Sequence, residues 1–199
     1  MEIIVDKEWD PLYDIGFSGW DIDTNRISWG IVDKKENPVS YGWCDLERIS
    51  GLSNVLDASN YVMFDWIQKY PNLKMSIVEI ISPFQKGGHQ ARVADEINRV
   101  GTAVILGLLS KYTTHEIDYK PPRTWMSKTV GLRNKRNPTK EQIAEWCHDK
   151  WPQLDPIEPR DSHVITRGPR KGQEDIRLND CYDTLGVAVY SKRVSFGEL

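Results

Sequence analysis

Residues 15–33 read IGFSGWDIDTNRISWGIVD, and this stretch decides the fold. Ile27, Trp29 and Ile31 alternate with Ser28, Gly30 and Val32, the period of a strand. Asp23-Thr24-Asn25 supplies turn chemistry between that strand and the apolar run before it. The pattern predicts a hairpin, and residues 38–44, PVSYGWC, extend it to an antiparallel meander of three strands. Within the first strand an acid, Asp21, stands between Trp20 and Ile22.

Beyond the meander the period changes. Leu52, Val55, Leu56, Val62, Met63, Trp66 and Ile67 form a stripe at helical spacing that ends before Pro71. Residues 74–81, KMSIVEII, are short, apolar and rich in β-branched side chains, as in a strand covered on both faces. A second helix is expected with Val93, Ile97, Val100, Val104 and Leu108 on one face, then a fifth strand from His115 to Tyr119. Thr139-Lys140-Glu141-Gln142 fits a capping box opening a helix to about Lys150. Residues 155–177 are polar, basic and aperiodic and read as a long loop, and a last helix is expected from about Leu178 to Lys192. The sum is one α/β domain over residues 1–199, with a mixed sheet flanked by helices and an N-terminal extension at 1–14. The first and fourth strands would be neighbours, bringing Asp21 near Glu79.

Composition bounds the function. The chain has 39% hydrophobic and 28% charged residues and no apolar run of the roughly 18 residues that spans a bilayer. Met1 to Asp6 lack the basic and apolar regions of a secretory signal, and Cys44, Cys147 and Cys181 form no CxxC pair. Reduced thiols in a cytoplasmic protein without zinc are the simpler reading. Net charge is only −3, but residues 120–177 carry 13 Lys and Arg against 8 Asp and Glu, while the rest carries 13 against 21. A basic segment on an acidic body suits phosphate binding, as it also suits ordinary solvated loops.

The acids carry the chemistry. Asp21 and Glu79 lie in otherwise apolar strands, where a carboxylate is costly unless paired or bound to a cation. Asp180 and Asp183 are three residues apart and share a helix face. The bland explanation, acids favoured at a helix N-terminus, covers Asp180 better than Asp183. Four acids from three elements would repel unless a cation neutralised them, and oxygen ligation selects Mg²⁺ or Mn²⁺. Such a cluster suits two-metal phosphodiester hydrolysis.

Taken in order, these motifs resemble the RuvC-type Holliday-junction resolvases of the RNase H-like superfamily. GWDIDTNRISWGIV (19–32) is similar to the family's first hairpin, and IVEII (77–81) to its glutamate strand. YKPPRTWMSKTVG (119–131), followed by TKEQI (139–143), resembles its strand, basic turn and next helix, and NDCYDTLGVAV (179–189) its closing helix. The resemblance covers roughly residues 15–193. It implies a five-stranded mixed sheet (the meander plus two parallel strands), a homodimer, two ions per site, and paired nicks across a four-way junction. It carries Asp21, Glu79, Asp180 and Asp183 onto the metal ligands and Lys140 onto a basic residue near the scissile phosphate. Asp23 rivals Asp21, though the Gly-x-Asp spacing favours Asp21. Met126 stands near another basic position, with Lys128 two residues on. Thr184 and Gly186 replace alanine-like positions in the last helix.

DNA contacts are expected from Lys86, Lys128, Arg133, Lys135, Arg136, Arg170 and Lys171, with Arg160, Arg167 and Arg177 as further phosphate candidates. Phe84, in a Gly-rich polar loop, would stack on or wedge between bases, or else tuck under its own loop. His163 could assist proton transfer or be an ordinary solvated histidine. The rival readings are a nuclease of the same fold for RNA–DNA hybrids or other branched DNA, and a noncatalytic nucleic-acid-binding module. An actin-like ATPase would need two domains and Gly-rich phosphate loops, for which 199 residues leave little room.

Overall fold

Asp23 closes the predicted hairpin: its amide donates to Arg26 O (2.8 Å) and its Oδ1 accepts from the Thr24 amide (2.6 Å). The computed structural model describes residues 1–46, 53–80, 88–110, 116–131, 136–158, 161–164, 174–177 and 180–199. Its main sheet contains β1 (Glu2–Ile4), β2 (Gly16–Ile22), β3 (Arg26–Val32), β4 (Pro38–Asp45), β5 (Leu73–Glu79) and β6 (Glu116–Lys120). The spatial order is β1-β4-β3-β2-β5-β6, with β2–β5 and β5–β6 parallel and the other pairs antiparallel.

The sheet has six strands where five were expected. The sixth comes from the N-terminal extension, whose Glu2, Ile3 and Ile4 pair with Gly42, Tyr41 and Ser40. The Glu2 carboxylate anchors it by accepting from Lys69 Nζ (2.6 Å) and Tyr70 Oη.

Strand alternation splits the interior into two layers. On one face Trp20, Ile22, Ile27, Trp29 and Ile31 pack beneath α1 (Ser53–Asn60), a π-helical segment (Tyr61–Trp66), α2 (Ile67–Lys69) and α3 (Gly88–Leu109). Trp66 meets Trp20 and Trp29 edge-on, contacts worth about 0.5–1.5 kcal/mol each beyond the area buried. Leu56, expected in the buried stripe, is 62% exposed. The buried positions are Asn54, Ala58, Val62 and Trp66, with Ile67 following as expected. A strict four-residue spacing drifts around a 3.6-residue helix, and the wider π turn brings Val62 and Trp66 back to the core.

The opposite face packs Phe17, Val32, Tyr41, Met75 and Ile77 against α4 (Pro122–Thr129), α5 (Lys140–Lys150) and α6 (Cys181–Ser195). Every residue of α6 from Cys181 to Lys192 is buried. The capping box of α5 is present: Thr139 Oγ1 accepts from the Gln142 amide, and Gln142 Oε1 from the Thr139 amide. The stretch read as one long loop contains an antiparallel hairpin, β7 (Asp161–Val164) with β8 (Glu174–Arg177). Its strands are short and polar, so they carry no apolar alternation by which sequence could mark them.

The β3–β4 turn is fastened to the helical layer through Glu36, a residue at φ 64°. Its buried carboxylate accepts from Lys150 Nζ (2.7 Å), Arg193 Nε (2.8 Å) and Arg193 Nη2 (3.0 Å). Its carbonyl accepts from Trp151 Nε1 at 2.8 Å. Among the described residues, no helix is long and apolar enough to cross a membrane.

Candidate active site

The parallel pairing of β2 with β5 aligns Gly19 with Ile77 and Trp20 with Val78. Asp21 and Glu79 therefore follow side by side at the C-terminal ends of two central strands. Gly19 faces Gly30 across the β2–β3 ladder. A Cβ on Gly19 would lie 2.4 Å from both Ala188 N and Thr184 O, and one on Gly30 would lie 2.9 Å from Thr184 Oγ1. The α6 backbone thus rests directly on the strand pair, bringing Asp180 and Asp183 to Asp21.

Asp21, Asp180 and Asp183 each offer an oxygen within 4.8 Å of the others. Asp180 and Asp183 are buried, and Asp21 is partly exposed. Asp180 occupies the N-cap of α6 but makes no side-chain capping hydrogen bond. Its ion pair is with Lys140, whose Nζ also reaches Asp183 Oδ2 at 2.8 Å. The capping box fixes Lys140 at the first turn of α5, facing this cluster. Glu79 borders the same cavity of about 290 Å³ with the three aspartates and Lys140.

Burial and mutual repulsion set the electrostatics. Burial first, and then the charges of Glu79, Asp180 and Asp183, hold the Asp21 carboxyl well above the usual range. Burial, with Asp183 next, pushes Glu79 up to about 8, against a hydrogen bond from Trp125 that favours its charged form. Burial also raises Asp183, with the Lys140 ammonium opposing. For Lys140, burial disfavours the charge, but Asp183, Asp21 and Asp180 outweigh it and raise the ammonium's pKa. The cluster holds more carboxyl groups than one lysine can neutralise, and the raised carboxyls are the consequence.

These residues fit a hard divalent cation. The donors are all carboxylate oxygens, and Asp183 Oδ1 is buried with no hydrogen-bond partner among the described residues. A buried, unsatisfied anionic oxygen beside two more carboxylates is what such an ion would satisfy.

The other expected residues fall differently. Asp23 borders the cavity, yet one of its oxygens closes the turn by accepting from Thr24. Met126 borders the cavity, whereas Lys128 is exposed at the end of α4 with its carbonyl accepting from Arg193 Nη1. Arg136 is exposed. Phe84, Lys86, Arg133, Lys135, Arg160, Arg167, Arg170 and Lys171 lie outside the described residues. His163 and Arg177 fall on the strands of the β7–β8 hairpin.

Trp125 is a residue that sequence reasoning missed. Fully buried on α4, it donates its Nε1–H to Glu79 Oε2. Its helix had signals that could have revealed it: a proline at the first position, and Gly131 at φ 92° after the end, donating to Met126 O at 2.8 Å.

By sequence, no family model matches the chain, and no curated protein matches it. Solved structures do. Thermus thermophilus RuvC in complex with a Holliday junction substrate superposes with a TM-score of 0.60 over 92% of this chain and 95% of that one. The fold is RuvC-like. A second Thermus thermophilus RuvC structure gives a TM-score of 0.57, covering 92% of this chain and 96% of its own. Identity to the two is 11% and 10%, so the likeness to RuvC is carried by backbone geometry.

Proposed function

We propose that this chain is a divalent-metal-dependent endonuclease that resolves four-way DNA junctions as a homodimer. The observation that carries the reading is the convergence of Asp21, Asp180 and Asp183, with Lys140 across two of them, beside Glu79 at the end of a RuvC-like sheet. One structural neighbour holds a Holliday junction substrate, which supports the choice of branched DNA.

In this reading Asp21, Glu79, Asp180 and Asp183 hold two Mg²⁺ ions, with Mn²⁺ able to substitute. When bound, the ions would lower the pKa of the attacking water and stabilise the leaving 3′ oxygen. The chain's own groups prepare that chemistry. The three aspartates crowd their carboxyl oxygens into a small cavity, which draws cations to where a polyanion must dock. Lys140 would cede its carboxylate partners to the ions and offer its ammonium to a phosphate oxygen. Lys86, Lys128, Arg133, Lys135, Arg136, Arg170 and Lys171 contact arm phosphates, and Phe84 stacks near the junction centre.

The test is cleavage of a labelled four-way junction, with duplex and RNA–DNA hybrid controls, by wild type and Asp21→Asn in Mg²⁺. Symmetric nicks in the junction alone, abolished by the substitution without loss of binding, are expected. Cutting of the hybrid instead would move the substrate and keep the four-acid site. Binding without cutting in either Mg²⁺ or Mn²⁺ would refute the nuclease reading.

A further inference from the structure

We propose that Trp125 is a positioning residue for the metal centre, its indole N–H holding Glu79 Oε2 so that Oε1 is presented to the cation. The inference rests on the metal-dependent reading above and assigns a task to a residue outside the acid cluster.

Three observations carry it. The indole N–H donates to Glu79, which lines one cavity with Asp21, Asp180, Asp183 and Lys140. Indole is a donor with no acceptor, so it fixes one carboxylate oxygen without competing for a cation. A lysine at this point would instead act as a rival counter-ion.

The indole is itself immobilised. It is fully buried, and a Cβ on Gly186 of α6 would lie 2.6 Å from its Cζ3. Glycine is disfavoured inside a helix. Here it sits where only a hydrogen fits beneath the ring. The helix that supplies the two aspartates thus also clamps the residue that orients the glutamate. The far end of α4 is tied to α6 as well, by Arg193 Nη1 donating to Lys128 O at 3.2 Å.

Trp125→Phe keeps an aromatic ring against α6 and removes the donor. Gly186→Ala keeps the donor and displaces it. Mn²⁺ binding is measured by calorimetry on the full chain without DNA, and junction cleavage and junction affinity are measured in parallel. Each substitution is expected to weaken Mn²⁺ binding about 10–100-fold, the usual effect of losing a group that orients a metal ligand. It should lower kcat while leaving junction affinity within about twofold of wild type, because neither substitution removes a group assigned to phosphate. The double variant should bind Mn²⁺ no worse than Trp125→Phe alone, since both changes act through one hydrogen bond.

Trp125→Phe that binds Mn²⁺ as tightly as wild type, whether or not it loses stability, would reduce Trp125 to a core residue and overturn the proposal. If Trp125→Phe fails to fold by near-ultraviolet circular dichroism, 3-benzothienylalanine at position 125 keeps the shape, lacks the N–H and carries the same comparison. Wild type that binds Mn²⁺ yet cuts no junction would defeat the nuclease reading while leaving the Trp125 comparison decisive. Wild type that binds no Mn²⁺ would overturn both.

Discussion

Glu36→Gln removes one charge from an ion cluster that joins Glu36 to Lys150, Lys192 and Arg193, and leaves the side chain's size unchanged. Burial alone would raise the Glu36 carboxyl, but hydrogen bonds and charge from Arg193 and Lys150 hold it down at about 2, against 4.5 for an unperturbed glutamate. That depression corresponds to about 3 kcal/mol of stability at neutral pH. The side chain is only 11% exposed, so solvent screening takes little from the figure. For a chain of this length the loss should lower Tm by about 6–12 °C. Because the folded pKa lies below the unfolded one, the contribution is complete above about pH 4.5 and disappears as pH falls through 2. Urea unfolding at pH 7 should therefore show Glu36→Gln about 3 kcal/mol less stable than wild type, with the gap closing in acid. The substitution keeps a nonglycine residue at φ 64°, so backbone strain does not change and the comparison isolates charge. A variant within about 0.5 kcal/mol of wild type at pH 7, the range of ordinary surface substitutions, would refute the reasoning.

Lys140→Met leaves the acids without their counter-ion. Metal-free protein should lose about 1–2 kcal/mol, less than for a fully buried pair because Lys140 is 45% exposed, and Mg²⁺ should restore most of it in a thermal melt. Gly19→Ala should cost about 1–3 kcal/mol or more and abolish Mn²⁺ binding, since its Cβ would drive α6 off the strands; calorimetry beside urea unfolding checks both. Mn²⁺ affinity should climb with pH toward 8, because an ion displaces the proton that burial and Asp183 retain on Glu79. Calorimetry in buffers of different ionisation enthalpy should register that proton release, and an affinity flat from pH 6 to 8 would contradict it.

The features legible in sequence were those with a strong local signature. The alternation around Asp23-Thr24-Asn25, the β-branched run at 74–81 and the Thr139–Gln142 capping box each led to the element they predicted, the strand spanning Leu73–Glu79. Asp21, Glu79, Asp180 and Asp183 stood out because acids in apolar context demand compensation, and all four border one cavity. What escaped depends on partners distant in the chain. Glu2–Ile4 becomes a strand because an edge of β4 is open to it, which three residues cannot announce. The β7–β8 hairpin has no apolar face to betray it. Trp125 reads as any core aromatic until Glu79, 46 positions earlier, is found at its nitrogen.

The bare floor made by Gly19 and Gly30 works as a hard stop. The gap between the acid-bearing strand and the acid-bearing helix is gauged by α6 main chain resting on Gly19, with Thr184 Oγ1 and Leu185 N set over Gly30. A calibration held by missing atoms is lost as soon as either glycine gains a side chain. Within this chain, two residues without side chains thus set the height at which the helix-borne acids stand above the strand-borne one.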